Sequence, residues 1–281
     1  MLFWWNKKKE PETTQTEKVA APQEFNTFGI QDVLHYIKRE VGIDLFSKKS
    51  VIETKLRLFC ERKEIYSFRK LFEALQHDKA LRQDLIDLVT VNETYFYREE
   101  AQLELAVNFA LAIPNVKILC APCASGEEVY SLSMMLQERR REPREFSITG
   151  IDINSEAIEK AQKGIFSERS LHKLEQRLKD KFFTQNDRFY QAKREYFSSI
   201  SFTKVNIFEH DFLALGKYDI IFSRNMLIYF DDDFRLKTIE RFATLLKPEG
   251  KLFLGHADII PDNPYFVKYT ENRLSYYIKK S

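Results

Sequence analysis

The chain has 281 residues, of which 44% are hydrophobic and 31% charged, with 24 Phe and 13 Tyr; this is the composition of an ordinary globular protein with one large domain or two modest ones. The 44 Lys and Arg against 42 Asp and Glu leave a net charge of +2, so no global positive field recruits a polyanion and any nucleic-acid role would need a local patch. Three cysteines argue against a disulfide framework and no run of about 18 apolar residues is present to span a bilayer, which makes a reducing cytoplasm the expected location.

Met1-Leu-Phe-Trp-Trp is an apolar tip ahead of Lys7-Lys8-Lys9, whereas an export signal puts its charges first and needs an apolar stretch of about 7 to 15 residues. Residues 1–23 therefore read as a polar, disordered tail, its tip either unengaged or touching a membrane surface or a partner. Residues 24–90 read as a small all-α domain, because apolar residues recur at helical spacing in Val33, Ile37 and Val41 and again in Ile52, Leu56 and Phe59. Further helices are expected over Ser67 to Gln76, Lys79 to Val89 and Glu99 to Ala112, the last within a linker and connecting helix at residues 91–112. The polar stretches between them are short, which favours a compact bundle.

After Pro114 the pattern changes. Val116-Lys-Ile-Leu-Cys-Ala is a short apolar run, followed by a Pro/Ser/Gly turn and a helical pattern from Glu127 to Arg140. Ser147 to Asp152 reads as a second strand, Asn154-Ser155 starts the next helix, Tyr218 to Ser223 is another strand before a helix from Asp232 to Leu246, and Lys251 to Gly255 completes the series. Strands alternating with helices over residues 113–281 predict an α/β fold with a doubly wound, mostly parallel sheet. Residues 180–200 break the alternation and read as a small inserted antiparallel β-subdomain leading into another sheet strand. Phe266 to Tyr269 and Leu274 to Ile278 read as a hairpin at the sheet edge, turning at Glu271-Asn-Arg.

In an open α/β sheet the ligand lies beyond the carboxyl ends of the strands, so the first strand-to-helix loop, Ala121-Pro-Cys-Ala-Ser-Gly-Glu-Glu, draws attention. It holds one glycine, Gly126, and so lacks the three-glycine dinucleotide fingerprint. Asp152 at the next strand end can accept hydrogen bonds from a ribose diol, or can instead cap the following helix. A ribosyl cofactor without a pyrophosphate fits both observations, and S-adenosylmethionine is such a molecule. Cys120-Ala-Pro-Cys123 is formally a C-x-x-C, but a zinc site would want two more ligands, and the remaining cysteine, Cys60, lies in the helical part. Buried small residues are the preferred reading of that pair, and no metal is expected. Of five scattered histidines, His256 alone sits at a predicted strand end, where a structural and a catalytic role both stand open.

Taken in order, Asn92-Glu-Thr-Tyr-Phe-Tyr-Arg98, Cys120-Ala-Pro-Cys-Ala-Ser-Gly-Glu-Glu128, Gly150-Ile-Asp152-Ile, Phe222-Ser-Arg-Asn-Met-Leu-Ile-Tyr-Phe230 and Gly255-His-Ala-Asp258 resemble the CheR chemotaxis receptor methyltransferases over roughly residues 27–280. The resemblance implies a class I methyltransferase domain with an inserted β-subdomain behind an all-α N-terminal domain. It implies methyl transfer from S-adenosylmethionine, with S-adenosylhomocysteine as product, to glutamate side chains of chemoreceptor cytoplasmic domains. Carried to matching positions, it points to Asn92, Thr94, Arg98, Glu128, Asp152, Asn206, Ile207, Arg224 and Asn225 as cofactor contacts. Asp152 would hold the ribose hydroxyls, Asn206 the adenine edge and Glu128 the amino group. Arg98 would face the cofactor carboxylate or the incoming glutamate, and Tyr229 would lie beside the methyl group.

Lys48, Lys55 and Arg62 recur every seven residues, one stripe on a helix, and can meet an acidic receptor bundle or serve as a solvated surface. Residues 188–200 contain no glycine and form a shorter ribbon than the one some members use to hold a receptor pentapeptide, so tethering of that kind is not expected. No sustained heptad repeat is evident, and a monomer is the default. Two alternatives remain: a class I methyltransferase on another acceptor, and a module that binds S-adenosylmethionine as sensor or scaffold. Arg224-Asn-Met-Leu-Ile-Tyr229 lacks the prolines of the Asn-Pro-Pro-Tyr found in many nucleic-acid and amide methyltransferases.

Overall fold

The computed structural model describes residues 24–139 and 141–280; the tail expected at 1–23 lies outside the described residues. Five helices come first: α1 (Ile30–Val41), α2 (Lys49–Arg62), α3 (Phe68–Leu75), α4 (Lys79–Val89) and α5 (Glu100–Leu111). Local chemistry sets their ends. The Ser67 hydroxyl accepts from the Lys70 amide at 3.2 Å and the Asp78 carboxylate from the Leu81 amide at 2.9 Å, each satisfying an open donor of a first helical turn. Gly42 closes α1 at φ 78, and a Cβ there would lie 2.9 Å from the rings of Phe208 and Phe234, so only glycine allows this close seam with the second part of the chain.

The second part alternates as expected: β1 (Val116–Cys120), α6 (Glu127–Glu138), β2 (Phe146–Asp152), α7 (Ser155–Lys163), β3 (Ile165–Ser167), α8 (Gln176–Phe182), β4 (Phe183–Asn186), β5 (Phe189–Ala192), β6 (Ile200–Lys204), α9 (His210–Leu213), β7 (Tyr218–Ser223), α10 (Asp232–Leu245) and β8 (Leu246–Leu254). The hairpin β9 (Phe266–Glu271) and β10 (Leu274–Lys279) follows, turning through Asn272 and Arg273 at φ 48 and 66. Seven strands form one sheet in the order β6-β2-β1-β7-β8-β10-β9, parallel from β6 to β8 and antiparallel in the last two pairings. Strand order reverses between β1 and β7, and beyond their carboxyl ends lies the crevice where such sheets bind ligands.

Two boundaries differ from expectation. The small sheet has the order β3-β5-β4, so the inserted subdomain recruits residues 165–167 and is not confined to 180–200. Three residues are too few for a period-2 pattern, and their partners lie some 25 positions away, Ile165 opposite Gln191. The last parallel strand begins at Leu246 rather than Lys251, because Leu246 to Gly250 enters the sheet through a bulged register beside Tyr218 and Ile220.

Alternation along β1 sends Ile118 and Cys120 to the core beneath α5 and α6 and Leu119 to the core on the opposite face. That second core runs without a break from Leu34 and Leu56 of the helical part to Ile221 and Leu252 of the sheet. The all-α part is therefore welded to one face of the sheet.

Candidate active site

A single cleft at the β1/β7 switch point gathers every sequence-predicted cofactor and reacting residue. Asn92, Thr94 and Arg98 reach it from the segment between α4 and α5, Glu128 from α6, Asp152 from the end of β2, Asn206 and Ile207 from the turn after β6, and Arg224, Asn225 and Tyr229 from the turn after β7.

The loop after β1 is shaped by tight packing. Gly126 has φ 94, and a Cβ there would come within 3.0 Å of the Phe202 ring and of the Ala161 methyl. Buried Asp152 braces this loop: one carboxylate oxygen accepts from the Ala124 amide at 2.8 Å, the other from the Asn154 amide at 2.9 Å. Burial pushes its pKa up while these amides pull it down. The capping alternative for Asp152 falls, because Asn154 caps α7 by accepting from the Ala157 amide at 2.8 Å.

Arg224 and Glu128 form a buried ion pair, Nε to Oε2 at 2.5 Å. Arg224 also donates to the Arg98 carbonyl at 2.8 Å and lies 3.7 Å from Glu99. The other oxygen of Glu128, Oε1, is buried without a hydrogen-bond partner. Buried acceptors are nearly always satisfied, so an orphaned carboxylate oxygen on a cleft-lining residue fits the ammonium of an amino-acid cofactor such as S-adenosylmethionine.

Arg98 donates through Nη1 to the Glu93 carbonyl at 2.8 Å and lies over the Tyr95 ring. Burial raises the pKa of the Tyr229 phenol, and the Arg98 charge opposes that rise. The Asn206 amide is largely committed: Nδ2 donates to the Glu40 carbonyl and Oδ1 accepts from the Phe208 amide, both at 2.9 Å. One Asn206 N–H is left open, while the Asn206 carbonyl accepts from the Glu209 amide and the Ile207 carbonyl from Arg241.

Lys48, Lys55 and Arg62 stand outside the cleft. Lys48 precedes α2 rather than lying in it, in a 3-10 turn, and its ammonium is 5.9 Å from the centre of the Tyr229 ring. Lys55 donates to the Leu88 carbonyl at the end of α4, while the Arg62 side chain is exposed. His256 is two-thirds exposed, with Nδ1 paired to Glu99 at 2.6 Å at the rim. Cys120 and Cys123 are free thiols, both buried, which pushes their pKa values well up. Among the described residues no group of three or more His, Cys, Asp or Glu can hold a metal ion.

Sequence reasoning missed the wall supplied by the helical part: Val41 and Ile43 at the end of α1, and Val89, Thr90 and Val91 at the end of α4. Helical spacing marks Val41 only as a core position, and no local signal sets the others apart. The polar seam was equally silent: Asp87 accepts from the Ser155 amide at 2.8 Å, and Thr90 from Asn154 at 2.7 Å.

A doubly wound sheet with a glycine loop after β1, an acidic residue ending β2 and an apolar cleft holding an unpaired carboxylate oxygen defines a class I methyltransferase that uses S-adenosylmethionine. The profile described as CheR methyltransferase, SAM binding domain, matches residues 92–274, and that described as CheR methyltransferase, all-alpha domain, matches residues 29–90. Chemotaxis protein methyltransferases from two strains of Campylobacter jejuni are 40% identical to this chain over 265 residues, covering 94% of it and 99% of their own length. Chemotaxis protein methyltransferase 2 of Vibrio cholerae is 37% identical over 75% of this chain and 78% of its own. The chain belongs to the CheR methyltransferase family, and it is an enzyme of S-adenosylmethionine-dependent methylation in chemotaxis.

Proposed function

We propose that the chain esterifies glutamate side chains on the cytoplasmic helical bundle of transmembrane chemoreceptors. Arg98 and Tyr229 stand at the reacting end, and Asn92, Thr94, Arg98, Glu128, Asp152, Asn206, Ile207, Arg224 and Asn225 hold the cofactor. The carrying observation is the Arg98 guanidinium, which borders the cleft with only Nη1 engaged among the described residues and so keeps donors for a carboxylate.

A glutamate, with an ordinary pKa of about 4.3, is already ionised near pH 7 and needs no general base to attack a methyl carbon. When bound, S-adenosylmethionine supplies that electrophilic methyl on a sulfonium and leaves as S-adenosylhomocysteine. Glu128 offers its free oxygen to the ammonium, and Asp152 offers its remaining lone pairs to the ribose diol. Arg98 orients the incoming carboxylate in line, while Val41, Ile43 and Val89 line the cleft with apolar surface that excludes water.

The receptor docks along α2. Val51, Lys55, Leu58 and Arg62 follow the 4-3-4 spacing of one face of α2, with Lys48 in the turn before it, and Val51 and Leu58 are 75% and 49% exposed. Apolar positions between basic ones suit an acidic helical bundle. No pentapeptide tether is proposed, because β4 and β5 join through only Asp187 and Arg188. No described helix is long and apolar enough to cross a membrane, and the enzyme is proposed to act in the cytoplasm as a monomer, without nucleic acid.

The test is transfer of labelled methyl from S-adenosylmethionine to purified receptor cytoplasmic fragments, followed by alkaline treatment. Base-labile label on receptor glutamates is expected. Cofactor binding with no transfer to any receptor fragment would move the acceptor elsewhere.

A further inference from the structure

The turn that carries Tyr229 is held by a residue that does not line the cleft. Asp258 follows β8 by four positions and is buried, and its carboxylate collects three backbone amides. Oδ2 accepts from Asn225 at 2.5 Å and from Gly255 at 3.0 Å, while Oδ1 accepts from Ile228 at 3.2 Å. The turn needs such a hold: Asn225 sits in the left-handed region at φ 58, a conformation that persists where the surroundings over-determine it. Contact is close, since a Cβ on Gly255 would fall 2.8 Å from Oδ2 and 2.9 Å from the Asn225 nitrogen. A buried carboxylate is costly unless its lone pairs are satisfied, and here backbone amides of the reacting turn satisfy them.

We infer that Asp258 is a positioning residue for methyl transfer: its carboxylate ties the Asn225–Tyr229 turn to the end of β8 and so sets where Tyr229 stands beside the methyl acceptor. The two oxygens divide this task. Oδ2 fixes Asn225, on the cofactor side, and Oδ1 fixes Ile228, the residue before Tyr229. The inference rests on the reading of Tyr229 given above.

The division makes Asp258→Asn informative. Its single carbonyl oxygen keeps the Asn225 and Gly255 amides, and its NH2 then opposes the Ile228 amide, donor against donor. In the methyl-transfer assay on a receptor fragment, well below the melting temperature, kcat is expected to fall roughly tenfold or more while cofactor Kd stays within about threefold. In a Tyr229→Ala background the same substitution should cost less than about threefold, because the positioned group is gone. A purely structural Asp258 would lower Tm and leave kcat of the folded enzyme alone. Turnover within twofold of wild type, or an undiminished loss in the Tyr229→Ala background, overturns the inference. Wild-type kcat in Tyr229→Ala alone would instead sink the reading of Tyr229. If Asp258→Asn does not fold, Asp258→Glu applies the test, because its longer chain keeps both acceptor oxygens but displaces them from the Ile228 amide: a kcat loss that shrinks in the Tyr229→Ala background is expected, and unchanged kcat overturns the inference.

Discussion

The backbone amide of Asp44 donates to the carbonyl of Tyr229 at 3.0 Å, so the aromatic proposed to stand beside the transferred methyl is anchored by the helical part of the chain. Lys38 reinforces this seam, its ammonium 3.0 Å from Asp44 and 2.6 Å from Asp231, the N-cap of α10. The helical part and the turn that carries Tyr229 are thus joined directly.

Replacing Lys38 with Met should cost about 0.5–1 kcal/mol in urea unfolding, because both carboxylates and the ammonium are about a third exposed and screened. The Lys38 contact holds the Asp231 carboxyl below its usual range, and Asp231 and Asp44 raise the Lys38 ammonium. The carboxylate contribution is complete above its unfolded value of about 3.9 and is lost as pH falls through the depressed folded value. The ammonium contribution is complete below about 10.4 and is lost as pH rises through the raised one. The wild-type advantage should therefore be flat from about pH 5 to 9 and shrink on both sides.

Arg224→Met leaves Glu128 buried with no counter-charge and should destabilise the fold by about 3–5 kcal/mol, read from urea midpoints. Glu128→Gln keeps the shape and removes the charge proposed to meet the cofactor ammonium. Titration calorimetry should show cofactor Kd rising about tenfold, as for a lost charge-assisted hydrogen bond.

Arg98→Ala should lower kcat on receptor fragments by about 10 to 100-fold, the loss expected when one orienting group is removed. Unchanged turnover with normal cofactor binding would assign the substrate carboxylate to another cation.

Reversing charge at Lys55 and Arg62 should raise KM for the receptor fragment about tenfold at low salt, with the difference shrinking as salt is added and cofactor Kd unchanged. Val51→Ser with Leu58→Ser should weaken the same step without that salt dependence. Equal loss of receptor and cofactor binding would point to misfolding.

Part of the cleft lining was legible because two strand ends carried their own signal. The Gly126 loop after β1 and Asp152 closing β2 are local features of a strand-turn-helix grammar, whereas Arg224 and Asn225 after β7 stood out only through the family resemblance, and the fold brings them all to one crevice. The spacing of Lys48, Lys55 and Arg62 was visible too, but where each ammonium ends was not: the Lys55 partner on α4 is 33 residues away, and Lys48 lies over a ring 181 positions on.

The sequence by itself determined the order of helices and strands, the mostly parallel sheet, and the glycine loop and Asp152 at its carboxyl edge, because periodicity and turn chemistry act over a few neighbouring positions. Tertiary structure alone decided that the helical part walls the cleft with Val41, Ile43 and Val89, that Glu128 keeps one oxygen unpaired, and that β3 joins β5. It decided too that Asp258 and Asp44 grip the Tyr229 turn from two sides. These contacts join positions far apart in the chain, and their energies depend on desolvation and on exact donor geometry, quantities that exist only once the surfaces have met.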